Sequence, residues 1–182
     1  MNVNKWVIKQ LEQLVTKGPE NTEAVILDST QQQGYIVGLT AEAEGINVSL
    51  DLADYDRYSV AFRNLKVSCK NSSKNGDKDY LRQCGEQVTR RVTYLEEPLE
   101  LLEVDAEAGL AQLRSRSLRQ EDNEKIYWEA MIQAEPHPTV SLTRYRWTPD
   151  TSPEREVVVC PATFATLGRI VQDLVDSLVE TI

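Results

Sequence analysis

One histidine, His137, is all the imidazole the chain has. It sits between prolines in Pro136-His137-Pro138, and no nucleophile-elbow sequence occurs, so serine, histidine and carboxylate chemistry has no framework. Cysteine is scarce as well. Cys69, Cys84 and Cys160 are odd in number and lack CxxC spacing, which suits free buried thiols in a reducing compartment better than a disulfide framework. With so few imidazoles and thiolates, no zinc-type ligand set is expected. The eight glycines are scattered singly, and neither GxxxxGK[ST] nor GxGxxG occurs, so phosphate-cradling loops are excluded. Asp51, Asp54 and Asp56 cluster near one turn without calcium-loop spacing and read as turn formers. No apolar run approaches the roughly 18 residues of a membrane span. Lys9, Gln10, Glu12 and Gln13 interrupt the hydrophobic positions near the start, so no secretory leader is expected. These absences predict a cytoplasmic protein without cofactor or metal, and more a binder than an enzyme.

What is present is an ordinary globular composition, 41% hydrophobic and 27% charged. At 182 residues a single compact domain, 1–182, is expected. The first pattern is helical: Val3, Val7, Leu11 and Leu14, with Trp6 and Val15 beside them, recur at three-and-four spacing, predicting a helix over 3–16 that Gly18-Pro19 stops. Strand patterns follow at 24–27 and 35–39, joined by a polar turn at 29–33. Over 46–53, Ile46, Val48, Leu50 and Leu52 alternate with Asn47, Ser49, Asp51 and Ala53, the period of a half-buried strand. The run 58–69 has no purely apolar face, which predicts a bulge or an exposed edge. A surface loop at 71–77 then precedes a helix over 79–95 with Leu81, Cys84, Val88, Val92 and Leu95 inward.

The second half repeats the plan. Strands are expected at 99–104, 110–118, 125–133 and 140–147, with a further apolar run at 157–160 as a fifth strand or the end of one broken at the 149–153 loop. Pro161 reads as the first residue of a closing helix. Phe164, Leu167, Val171, Leu174 and Leu178 make its stripe. The fold class expected is α+β: tandem antiparallel four-stranded sheet plus helix units (ββββα twice) behind an N-terminal amphipathic helix, with a pseudo-repeat at 23–97 and 98–182. Each helix is expected to seal its own sheet.

Charge supplies the functional candidates. The net charge is −9, with twelve cations against fourteen acids in residues 1–97 and eight against fifteen beyond. The balance reverses only over 63–91, where Arg63, Lys66, Lys70, Lys74, Lys78, Arg82, Arg90 and Arg91 form a candidate patch for an anionic partner. A second candidate surface is Arg144, Tyr145, Arg146 and Trp147. In an extended chain its two aromatics share one face and its two arginines the other, and Arg114, Arg116 and Arg119 lie on a neighbouring hairpin. Leu167, Val171, Leu174 and Leu178 form an apolar helix face, either core or the contact of a homodimer.

In outline, tandem four-strand-plus-helix units resemble the Whirly-type single-stranded nucleic-acid-binding proteins. A small acidic α+β chain led by an amphipathic helix is similar to type III secretion chaperones. Both likenesses rest on element order and charge. They imply a protein or polypeptide partner for the first expected function and single-stranded nucleic acid for the second, though the acidic balance opposes general nucleic-acid affinity.

Overall fold

A computed structural model of the chain describes residues 2–18, 25–28, 35–41, 44–70, 78–115, 119–121, 124–148 and 154–180. The expected turn at 29–33 and the loops at 71–77 and 149–153 lie outside the described residues.

The first helix, α1 (Val3–Lys17), begins where the Asn2 side chain accepts a hydrogen bond from the Lys5 amide at 2.9 Å, satisfying a donor that the first turn leaves free. It ends at Gly18, whose φ of +78° suits glycine and whose N–H returns to the Leu14 carbonyl at 2.9 Å. The first strands are β1 (Val25–Asp28), β2 (Tyr35–Ala41), β3 (Ile46–Tyr55) and β4 (Ser59–Cys69), followed by α2 (Lys78–Arg91). The second half holds β5 (Leu99–Asp105), β6 (Leu110–Ser115), β7 (Arg119–Glu121), β8 (Glu124–Gln133) and β9 (Thr139–Trp147). Two short strands, β10 (Glu156–Val157) and β11 (Cys160–Thr163), lead into α3 (Phe164–Val179).

The expected α+β class, the large antiparallel sheet and the leading helix are present. There is one sheet, however, not two separately sealed layers. Its order is β1-β2-β3-β4-β9-β8-β6-β5, with β7 on β8, β10 on β9 and β11 on β4. Strands β4 and β9 pair antiparallel, so the two meanders fuse along their last long strands. Nor does each helix cover the strands before it. Helix α2 packs on β5, β6 and β8, the strands that follow it, while α3 packs on β4, β11 and β9 and against α1 and α2. The reason is a continuous row of apolar side chains on one face. Leu65 faces Leu142, which faces Ala130, which faces Leu113; Val67, Val140, Ile132 and Ala111 form the next row. All eight are buried, and a helix laid on that surface covers both halves at once.

Alternation in β3 puts Ile46, Val48, Leu50 and Leu52 into this core. The mixed faces of β4 come from a bulge: its register against β3 shifts near Leu52, so Val60 and Phe62 are buried ahead of it and Leu65, Val67 and Cys69 after it. Strand β4 is an interior strand, paired with β3, β9 and β11.

Two boundaries differ from expectation. Helix α2 ends at Arg91, four residues early. Its tail is tied to α3 instead, the Tyr94 hydroxyl donating to Asp173 at 2.8 Å, and β-branched Thr93 and aromatic Tyr94 give the helix little reason to continue. Of the strand expected over 110–118, β6 covers Leu110–Ser115 and residues 116–118 lie outside the described residues; Arg119 starts β7. Pro161 is not helical: it pairs with Ala61 in β11, where a strand paired on one side tolerates the missing N–H, and Thr163 caps α3 by accepting from the Thr166 amide at 3.1 Å. The α3 stripe, Leu167, Val171, Leu174 and Leu178, is fully buried within the chain, each side chain contributing about 1.5–3 kcal/mol. Among the described residues no helix is long and apolar enough to cross a membrane.

Candidate functional site

The sheet splits at one place. Pairing of β4 with β9 runs from Ser68 opposite Thr139 to Asn64 opposite Thr143 and stops. Beyond it, residues 156–163 enter the gap: β10 pairs with the end of β9, the Val158 N–H donates to the Arg144 carbonyl at 2.8 Å, and β11 pairs with the start of β4. This strap has chemistry on both sides.

On the helix side lies a cavity of about 320 Å³, at the small end of ligand-site volumes. Phe62 and Trp128 floor it, their ring centres 6.5 Å apart. Leu95, Ala162 and Ile170 supply aliphatic wall, and Tyr94 and Thr166 complete the rim. Arg144 enters from β9, opposite Trp128 across the strand pair, with its guanidinium carbon 5.6 Å from the Trp128 ring centre. Its Nη2 donates to Glu97 Oε1 at 3.3 Å and to Glu96 Oε2. The two carboxylates differ: the side chain of Glu97 is 8% exposed, that of Glu96 53%, and that of Arg144 15%. Burial alone would pull the Arg144 guanidinium down, but its hydrogen bond to Glu96 and the charges of Glu97 and Glu96 raise it. Cys160 also lines the cavity, its thiol pushed up to about 11 by burial against the downward pull of Arg144. That thiol is protonated at neutral pH and is no nucleophile. Tyr94 is clamped by α3, with the Arg169 guanidinium carbon 4.0 Å from its ring centre, and burial, followed by the Asp173 hydrogen bond, pushes its phenol well up.

The opposite face of the sheet carries a polar row that crosses six strands: Asp51, Asn64, Thr143, Glu129, Arg114 and Glu100 stand directly opposite one another in turn. Asn64 Nδ2 donates to Thr143 Oγ1 at 2.7 Å. Glu129, 4% exposed, is the hub. Its Oε2 accepts from Gln112 at 2.8 Å, Arg114 at 3.0 Å and Arg155, just before the strap, at 2.8 Å. Burial alone would raise this carboxyl, but the hydrogen bonds of Arg155 and Arg114 hold it below its ordinary range. The Tyr127 and Tyr145 rings lie 5.9 Å apart beside it, Arg114 over the first at 4.9 Å and Arg155 over the second at 4.0 Å.

The sequence-derived candidates are distributed as follows. Arg144 and Arg146 do lie on the other face of β9 from Tyr145 and Trp147. Trp147 stacks under Lys125, whose Nζ is 5.0 Å from its ring centre, and Arg146 pairs with Glu124 at 3.3 Å. The 63–91 cations are not gathered. Arg63 reaches Asp51 at 3.1 Å, Lys66 is exposed on the open face, and Lys70 is exposed just past β4. Lys78, Arg82 and Arg90 stand exposed on α2, over the opposite face, and Arg91 is paired with Asp176 and Glu180 of α3. Lys74 and Arg116 lie outside the described residues, as does the side chain of Arg119. Leu167, Val171, Leu174 and Leu178 are core.

Sequence reasoning missed Glu129, Arg155, Trp128, Glu96 and Glu97. The signal for Glu129 was a carboxylate in the middle of the Tyr127-Trp128-Glu129-Ala130 strand run. Its partners come from 15 and 26 residues away, beyond any local pattern. Compared with protein-family models, curated proteins and solved structures, the chain matches none.

Proposed function

We propose that this chain is a non-enzymatic binding protein that engages a polypeptide partner, and that the cavity under the strap receives the partner's anchoring residue. The observation that carries the reading is the cavity's composition: an aromatic floor, an aliphatic wall and one ion pair whose outer member, Glu96, is half exposed. Interfaces draw most of their energy from a few side chains seated in such desolvated pockets. The protonated Cys160 thiol counts against covalent chemistry there. Three free, buried cysteines accord with a cytoplasmic address.

In this reading the two meanders are two copies of one ββββα plan, and the cavity lies at their joint. The mirrored strand order on either side of the β4 and β9 pair supports this. A homodimer would have to use a surface other than the α3 stripe, which the chain buries itself.

The test is selection from a displayed peptide library, followed by affinity measurement on the wild type and on Thr166→Trp, which fills the rim from an exposed position. The expected result is enriched peptides whose binding falls at least tenfold in the variant while its melting temperature holds. No enrichment, or equal affinity for both proteins, overturns the proposal.

A second reading, single-stranded nucleic acid laid across Tyr145 and Trp147, has one observation in its favour: both rings share the open face with Lys125 and Arg155. Those cations already occupy the ring faces, and Glu129 stands beside Arg155. Labelled oligonucleotides across a salt series decide it, since absence of binding at low salt removes the reading.

A further inference from the structure

We infer that the group the cavity recognises is a carboxylate at the end of a short apolar body, with Glu96 holding its place in the free protein. The inference rests on the reading of the cavity as the binding site, and it names the chemistry of what enters.

Three buried polar atoms around the Arg144 pair lack a hydrogen-bond partner among the described residues; the one acceptor, Oε2 of Glu97, is on a residue that does not line the cavity, and the two on lining residues are donors. Trp128 is 6% exposed, and its indole N–H has no hydrogen-bond partner among the described residues; neither has Nε–H of Arg144. Both groups donate and neither can accept. A buried donor without an acceptor is costly, so the complementary ligand group is an acceptor, and beside a guanidinium the strongest acceptor is an anion that can take two hydrogen bonds at once. A phosphate is poorly matched, since Phe62, Leu95, Ala162 and Ile170 make most of the remaining lining apolar and the hydroxyls of Tyr94 and Thr166 are engaged with Asp173 and Thr163.

The charge balance looks unfavourable at first, because Arg144 already faces two carboxylates. They are not equivalent. Glu97 is buried and needs the guanidinium; Glu96 is half in water, where an ion pair is worth little. An incoming carboxylate that displaces Glu96 takes its place on the guanidinium while Glu96 turns into water, and it then accepts from the Trp128 N–H, which is closed to solvent in the free protein. The apolar part then lies on Phe62 and Ile170, which extend the same cavity. Such a group has two sources, the free C-terminus of a polypeptide with an apolar last residue, or a free branched acid.

The experiment follows the Trp128 indole N–H resonance, assigned with Trp128→Phe, during titration with three probes: a short peptide ending in leucine with a free carboxyl group, the same peptide amidated, and isocaproate. The free-carboxyl peptide is expected to move the resonance downfield and the amidated one to leave it in place. Trp128→Phe, which keeps a ring and removes the donor, is expected to weaken binding about tenfold or more. Glu96→Ala, an exposed change that spares the core, is expected to tighten it by about two- to fivefold. Equal affinity of the amidated peptide, or an unmoved indole resonance with both acids, overturns the carboxylate inference. If both peptide forms bind equally and Thr166→Trp blocks them, the polypeptide reading stands without it; if isocaproate binds and no peptide does, the carboxylate site stands and the polypeptide reading falls.

Discussion

Arg155 lies across the face of Tyr145, its guanidinium carbon 4.0 Å from the ring centre, and from that position its Nη1 donates to Glu129 at 2.8 Å. The strap is thereby fastened to the open face of the sheet at the point where β4 and β9 part. Arg155→Ala removes the stacking and one of three donors to a buried carboxylate. Discounted for the partial exposure of the arginine, the expected loss is about 1–2 kcal/mol, read from urea midpoints. Arg146→Ala, which removes an exposed pair with Glu124, is the control and is expected to cost under about 1 kcal/mol.

Acid should weaken the same junction. The Glu129 carboxyl is held below its ordinary range in the folded protein, so its contribution is complete above the unfolded value of about 4.3 and fades as pH falls through the lower folded value. Stability of the wild type is therefore expected to drop below about pH 4.3, and Glu129→Gln to flatten that limb at a lower plateau. Parallel acid limbs for the two proteins would contradict the assignment.

Alkali acts on the thiols with the opposite sign. Burial pushes Cys69 and Cys160 up to about 11, against about 8.5 in an unfolded chain. Their contribution is whole below about pH 8.5 and is lost as pH rises towards 11, because only the unfolded chain ionises freely there. Cys69→Ala is expected to shallow the alkaline limb. A thiol reagent at neutral pH should label Cys69 and Cys84, which are buried away from the cavity, at the rate of unfolding rather than of mixing.

Helix α1 is seated on α3 at a glycine. A Cβ at Gly168 would stand 3.0 Å from the main-chain oxygen of Asn4 and 3.2 Å from Cγ1 of Ile8, and would crowd the Asn4 side chain. In an isolated helix Gly168→Ala would gain about 1 kcal/mol. Here the backbone oxygen cannot yield without moving α1, so a net loss of about 1–3 kcal/mol is expected, with faster amide exchange in α1 than in α2. A stabilised variant would show that the two helices are not in close contact.

Local periodicity made much of the architecture legible. The alternation of Ile46, Val48, Leu50 and Leu52, the spacing of Val3, Val7, Leu11 and Leu14, and the stripe from Phe164 to Leu178 each name a buried face, and each is buried. The apolar positions of 58–69 called for a bulge or an exposed edge, and β4 has the bulge, its register shifting where the pattern breaks, while it lies inside the sheet. The candidate site was barely legible. Arg144 and Tyr145 were separated correctly onto opposite faces, but what those faces meet, Glu96 and Glu97 on one and Arg155 and Glu129 on the other, depends on partners brought in from elsewhere in the chain.

The order of residues alone determined which side chains turn inward within each strand and helix, because that is a property of backbone period and needs no neighbour. Only the tertiary structure decided that two meanders join into one sheet, that α2 crosses onto the strands after it, and that residues 156–163 wedge β4 from β9. Those outcomes follow from covering a continuous apolar face at the least exposed area, a quantity of the whole surface that no segment contains.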